Sequence, residues 1–197
     1  TAGGAYTITN DGTFNAYALK FSNTGGSVVI AGGAEITIDD NLEIVGANIN
    51  VTNNNSNTIN LDNSSTHGDF LFKAASQTFT NNGTVTVGND FQFESSDGTF
   101  TNNGSLTISN DLNATGASSN SIINNAASSD ITVTGGIDLN NEQLRINNYG
   151  DFDLDGDYSN VDAGEGLIYN YAGSTFEFAA TTASDGDVYL YANYATN

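Results

Sequence analysis

Ten residues of this chain, Thr78-Phe79-Thr80-Asn81-Asn82-Gly83-Thr84-Val85-Thr86-Val87, return 21 positions later as Thr99-Phe100-Thr101-Asn102-Asn103-Gly104-Ser105-Leu106-Thr107-Ile108. Each copy is followed by an Asn-Asp step and a short apolar segment, Asn89-Asp90-Phe91-Gln92-Phe93 and Asn110-Asp111-Leu112. A unit this short cannot bury its own apolar face, so it must stack on its neighbours. The frame extends in both directions. Upstream, Ile8 to Phe14 aligns with Phe79 to Val85, and Ile36-Thr37-Ile38 and Leu42-Glu43-Ile44 replace Val85-Thr86-Val87 and Phe91-Gln92-Phe93. Downstream come Ile122-Ile123-Asn124-Asn125, Ile146-Asn147-Asn148-Tyr149-Gly150 and Ile168-Tyr169-Asn170-Tyr171-Ala172-Gly173. About eight coils result, starting near residues 7, 29, 50, 78, 99, 121, 144 and 167, most of them 21–23 residues long. The third step is 28 residues, which places an insertion around 53–69.

Each coil holds three short segments. The second alternates strictly, as in Val85/Val87, Leu106/Ile108, Ile131/Val133, Phe152/Leu154 and Phe176/Phe178. The third alternates too, as in Leu19/Phe21, Leu42/Ile44, Phe70/Phe72, Phe91/Phe93 and Ile137/Leu139. A period of two puts one face in and one face out. Three such strands close a triangle, and successive triangles pair in parallel at ~4.8 Å per coil. The expected fold is an all-β, right-handed parallel β-helix: a three-sided β-solenoid running over residues 1–197 as one segment. The Asn-Asn-Gly corner supplies the sharp bend, with Gly83 and Gly104 expected at positive φ. Asn81, Asn82, Asn102, Asn103, Asn124, Asn125, Asn147, Asn148 and Asn170 are expected to hydrogen-bond along the stack as a corner ladder. The absence of Pro fits strands paired on both sides.

Charge narrows function. Three basic residues, Lys20, Lys73 and Arg145, face 23 acidic ones, for a net charge of −20. Such a surface excludes nucleic acid and anionic membrane as partners, because both need clustered Lys and Arg. With no Cys there are no disulfides or thiolate metal sites. No apolar run reaches the 18 residues a membrane span requires. The chain opens on Thr1 rather than Met, and reads as a processed protein or an excised piece of a longer one.

The 21–23-residue coils, the Asn/Thr/Gly/Asp-rich turns and the scarcity of Lys and Arg resemble large bacterial surface adhesins. Filamentous-haemagglutinin-like β-solenoids are the nearest, and the Asn-Asn-Gly-Thr-Val-Thr-Val wording is similar to giant adhesins of gliding Bacteroidota. The resemblance covers about residues 5–191 and is one of style and period. It implies export to the cell surface and a role in attachment as rod or stalk.

Candidate chemistry is sparse. Lyases built on solenoids use Lys or Arg as base, and here the three cations fall in separate coils. No carboxylate pair stands out for hydrolysis, so no catalytic residue is assigned and the chain is not expected to be an enzyme. His67, the single His, lies in the polar insertion and lacks the partners of a zinc site or a triad. The segment from Asp151 to Asp162 matches the wording of a calcium loop, with Asp151, Asp153, Asp155, Asp157 and Asp162 as candidate ligands. Against this, Phe152 and Leu154 fit inward strand positions. That sets the first three Asp in an outward row ~6.8 Å apart, too far to wrap one ion. Weak surface binding of calcium is compatible with either arrangement; no other cofactor is implied. Thr37, Thr86, Thr107 and Thr132 form an outward row with Thr84 and Thr134 beside it, broken by Asn60, Asp153 and Glu177. Such rows suit ice in some solenoids. Tyr169, Tyr171, Tyr189, Tyr191 and Tyr194 crowd the last coil as a possible contact surface for sugars or protein. Half of such an alternating set is expected to point inward.

Neither end of the repeat carries a capping element, so end-to-end stacking with further solenoid or with copies of itself is expected. The expected role is a structural or adhesive extracellular filament or stalk, with surface glycans as possible partners. A carbohydrate- or ice-binding solenoid is the alternative, and a polysaccharide-active enzyme the third.

Overall fold

The computed structural model describes residues 3–62, 67–95, 97–115, 120–140, 143–156, 158–161, 165–178 and 188–194. Every regular element among them is a short β-strand. The strands fall into three parallel sheets, here called A, B and C, of nine, eight and seven strands. In each sheet the spatial order of strands is their order along the chain, so the chain winds in one sense and never doubles back. The fourth coil is typical: Thr78–Asn81 lies in sheet A, Thr84–Val87 in sheet B and Phe91–Phe93 in sheet C. The coils are numbered below from their sheet A strands, which start at Ala5, Ser27, Asn50, Thr78, Thr99, Asn120, Gln143, Glu165 and Val188. The result is an all-β, three-sided parallel β-solenoid with seven to nine strands stacked in each sheet.

Inward residues stack in columns. Val85 pairs with Leu106, Leu106 with Ile131, Ile131 with Phe152, and Phe152 with Phe176. In sheet C the column runs Leu42, Phe70, Phe91, Leu112, Ile137. These side chains are buried almost completely, apart from Phe176 near the end of the stack. The interior is densest in coils 3 to 5. There Phe70 stacks on Phe91 at 4.8 Å and Phe72 on Phe93 at 4.8 Å, while Phe79 and Phe100 meet the Phe70 and Phe91 rings edge-on at 4.8 and 5.0 Å. Offset-stacked and T-shaped pairs at these separations add to the stabilisation from burial alone.

The first two coils correct the repeat frame. Tyr6, Val28, Val51 and Phe79 share one column, so Ile8 and Ile30 stand in the column of Asn53 and Asn81. Aligning Ile8 with Phe79 is therefore wrong by two residues. A shift of two keeps every side chain on its own face, so alternation alone cannot detect it. Coil 3 reconciles the two frames by carrying both corners. Asn53 joins the coils above it, while Asn55 donates to Ala34 O at 2.8 Å in the coil below. Against coil 4, register puts two of the extra residues of this coil between Asn53 and Thr58, opposite Asn81 to Thr84, and five between Asn60 and Phe70, opposite Thr86 to Phe91. Beyond the eight expected coils, Val188–Tyr194 adds a ninth strand to sheet A, paired with Glu165–Tyr171.

The corner glycines work differently from the expectation. Gly83 and Gly104 are not among the residues with positive φ. They are required by closeness: a Cβ on Gly104 would lie 2.0 Å from Gly83 O, and one on Gly83 would lie 2.2 Å from Asn55 O. Left-handed backbone occurs at the A–B corner only in other coils, at Gly32, Ser128 and Gly173, and at the corner from sheet C to sheet A at Asn48, Ser76 and Asp97 with φ of 57°, 55° and 60°. Each of the last three precedes by two residues a register partner in sheet A, Asn50, Thr78 or Thr99, so the three form one strained column. Two predictions follow from this contrast. Gly104→Ala should lose about 2–3 kcal/mol by overpacking coil against coil. Ser76→Gly should gain about 0.5–1 kcal/mol, because an exposed L-residue in the left-handed region carries a steric penalty that Gly lacks. Urea unfolding of the two variants beside the parent checks both signs.

Candidate functional site

The corner between sheets A and B holds two asparagine ladders. The inner one is fully enclosed. Asn53 donates to Asn81 at 2.8 Å, Asn81 to Asn102 at 2.9 Å, Asn102 to Asn125 at 3.0 Å, Asn125 to Asn148 at 2.9 Å and Asn148 to Asn170 at 2.8 Å. The remaining amide hydrogen of each rung reaches backbone carbonyls; Asn102 Nδ2, for example, also lies 3.0 Å from Gly104 O and 2.8 Å from Asp130 O. Those carbonyls fix which end of the side chain is nitrogen. The outer ladder runs over Asn54, Asn82 and Asn103, with Asn124 and Asn147 continuing it one column over, each bond 2.7 Å. The asparagines thus spend their hydrogen bonds on one another, and the rungs from Asn53 to Asn148 offer nothing to solvent.

Sheet B carries the acidic strand. Asp151 and Asp153 flank the buried Phe152 on the strand Asp151–Leu154 and face outward, and Asp155 follows it, exposed. Asp157 and Asp162 lie outside the described residues. Register aligns Asp130 with Asp151 and Thr132 with Asp153, and Asp153 with Glu177. With Thr175, these side chains border a shallow open depression of about 320 Å³. No group of three carboxylate or imidazole ligands able to hold one ion occurs among the described residues. The outward Thr row runs as the sequence implies, Thr37, Asn60, Thr86, Thr107, Thr132, Asp153, so charge ends it at the seventh coil.

On the side of sheet C two of the three cations, in separate coils as the sequence implies, approach one carboxylate. Lys20 and Glu43 are register partners, and Lys20 Nζ lies 2.8 Å from Glu43 Oε1. Lys73 Nζ lies 3.9 Å from Glu43 Oε2 and 3.5 Å from Glu94. Glu43 is buried although its strand position faces outward. The hydrogen bond to Glu43, and then its charge, hold the exposed Lys20 ammonium above the usual lysine range. His67 Nδ1 sits 3.3 Å from Asp40 Oδ1.

Sheet A is the face that sequence reasoning missed. Its first seven strands contain no acidic residue, although the chain has 23. Its outward columns in coils 3 to 5 are Thr52, Thr80, Thr101 and Asn50, Thr78, Thr99, all in register. Toward the far end the columns turn aromatic. Tyr149 stacks on Tyr171 at 3.9 Å and 11°, and the Tyr171 phenol, chiefly by hydrogen bonding, holds the Tyr149 hydroxyl above the ordinary tyrosine range. The Arg145 guanidinium lies 4.7 Å over the Tyr169 ring and donates to Asn147 at 2.9 Å. The expected inward half of the tyrosine set is not found among the described side chains. Ile168 takes the inward position between Leu167 and Tyr169, Tyr169 is partly exposed, and Tyr171 is buried at the corner against Tyr149 rather than in the core. Tyr169 and Tyr171 share the outward parity of their strand, opposite to that of Ile168. Register sets Tyr189 opposite Leu167, Tyr191 opposite Tyr169 and Tyr194 opposite Tyr171.

No protein-family model matches the chain, and no match exists for it among curated proteins or solved structures. The solenoid architecture rests on strand register alone. The missed signal was present in the sequence: once the frame is set, every sheet A window up to Asn148 reads as Thr, Asn, Ser and apolar residues with Arg145 as its one charge.

Proposed function

We propose that this chain is a rigid segment of an extracellular filament or stalk on a bacterial cell surface, structural and adhesive rather than catalytic, of the filamentous-haemagglutinin-like or gliding-adhesin type. The observation that carries the reading is the unbroken stacking of all three sheets, which gives a rod stiffened by continuous apolar columns and by an enclosed asparagine ladder. An ordered rod that spends its polar chemistry on its own corners suits a spacer that bears load. The acidic surface keeps such rods soluble and apart. Further coils, from the same chain or a second copy, would extend the stack. Among the described residues the outermost strands of each sheet have one partner each, and Tyr6 and Tyr17 in the first coil are 54% and 72% exposed. Negative-stain electron microscopy of the purified protein is expected to show narrow rods that join end to end. Compact isolated particles at high concentration would contradict the proposal. Carbohydrate or ice binding is the second reading, favoured by the acid-free first seven strands of sheet A.

A further inference from the structure

We infer that the outward face of sheet A is a binding surface for a neutral polysaccharide lying along the rod. This rests on the adhesive reading above and names its contact face and partner class. The first observation is the distribution of charge. Sheets B and C carry Asp130, Asp151, Asp153, Glu177, Glu43 and Asp138 in their strands, whereas the first seven strands of sheet A carry no acid at all. A molecule of net charge −20 is surrounded by a field that repels anions, so a strip that over seven strands holds no acid and a single charge, Arg145, is complementary to an uncharged ligand.

The second observation is the chemistry of the strip. Thr52, Thr80 and Thr101 repeat in register along the axis, giving hydroxyls at ~4.8 Å intervals on the outward side of the sheet. A neutral sugar chain presents alternating hydroxyl edges and apolar C–H faces. The hydroxyl rows exchange hydrogen bonds with the former, and aromatic rings cover the latter. Rings stand at the end of the same strip: Tyr149, 39% exposed and stacked on Tyr171, and Tyr169 beneath Arg145. Each ring is held by a neighbour before any ligand arrives, which lowers the ordering cost of binding.

A second copy of the chain fits less well. Seven strands at ~4.8 Å, each about three residues wide, offer roughly 330 Å², against the ~800 Å² per partner of a stable protein interface. The strip is also polar, without the apolar centre such interfaces have.

The test is co-sedimentation of the full chain with microcrystalline cellulose and with chitin, and affinity electrophoresis in xyloglucan, with alginate as the acidic counterpart. Retention on at least one neutral polymer and none on alginate is expected. Thr80→Asp with Thr101→Asp should weaken retention at least tenfold, and Tyr149→Ala three- to tenfold. The matched pair Thr86→Asp with Thr107→Asp adds the same charge to sheet B and should leave retention unchanged. Circular dichroism identifies any variant that fails to fold, in which case Thr80→Glu alone takes its place. No retention on any neutral polymer, preference for alginate, or equal loss in the two double variants overturns the inference. So does thermal hysteresis in ice, or a dimer in sedimentation, that the sheet A variant abolishes while no polymer is retained. Rods on the grid without retention sink this inference alone; compact particles with retention sink the filament proposal alone.

Discussion

Asn102→Asp is expected to destabilise the protein by about 4 kcal/mol at neutral pH, although it changes one amide to a carboxylate of the same shape. Asn102 is completely buried and its amide nitrogen faces three oxygens: Gly104 O, Asp130 O and Asn125 Oδ1. A carboxylate there can only accept, so every one of those bonds becomes a repulsion in a site without water. The sign of the pH dependence follows. Burial among oxygens raises the folded-state pKa of the new acid above its unfolded value of ~3.9. The cost is therefore complete above the raised folded pKa. It shrinks as pH falls through that value and levels off below ~3.9. Asn103→Asp, one residue away on the exposed outer ladder, should lose less than about 1 kcal/mol. Denaturant midpoints of the two variants between pH 3 and 8 measure the contrast. Equal, pH-independent losses would mean the inner ladder does not hold the stack together.

Phe91→Ala should remove about 3–5 kcal/mol, the second large effect. Its ring contacts Phe70 at 4.8 Å, Phe100 at 5.0 Å, Phe93 at 5.4 Å and Phe72 at 5.8 Å, and all are fully buried. Truncation opens a void that stacked coils cannot close, because their spacing is fixed by the backbone ladder on all three sides. Phe91→Leu keeps most of the volume and should lose about 1.5 kcal/mol or less. Calorimetric melting of the pair beside the parent gives the comparison. A loss below 1 kcal/mol for the alanine variant would show that the Phe-rich centre carries little of the stability.

The fold was legible because period-two alternation and a 21-residue repeat are both written into Thr78 to Ile108. They fix which residues share a column: Val85, Leu106, Ile131, Phe152 and Phe176 follow one another as the repeat requires. Where the repeat wording decays, only alternation remains. It is blind to a shift of two, which is why Ile8 and Ile30 were assigned to the wrong column. The strained corner was also beyond reach. Gly83 and Gly104 announce a bend without saying whether φ or space requires them, while Asn48, Ser76 and Asp97 share no wording from which a common backbone conformation could be read. On the surface, the pairing of Lys20 with Glu43 follows from the aligned Leu19/Phe21 and Leu42/Ile44 windows, whereas the approach of Lys73 to the same carboxylate does not. The uncharged face needed all seven sheet A windows set side by side. The candidate contact strip was thus present as composition but visible only as geometry.

The stacking itself is most directly tested by distances between spin labels, for which the absence of cysteine leaves a clean background. Thr37, Thr132 and Glu177 lie on one outward column of sheet B, Thr132 four and Glu177 six coils above Thr37. Labels on cysteines at Thr37 and Thr132 should lie ~19 Å apart, and at Thr37 and Glu177 ~29 Å, from ~4.8 Å per coil. Narrow distributions in that ratio are the predicted result. Broad distributions, or separations that do not grow with coil number, would contradict the parallel solenoid.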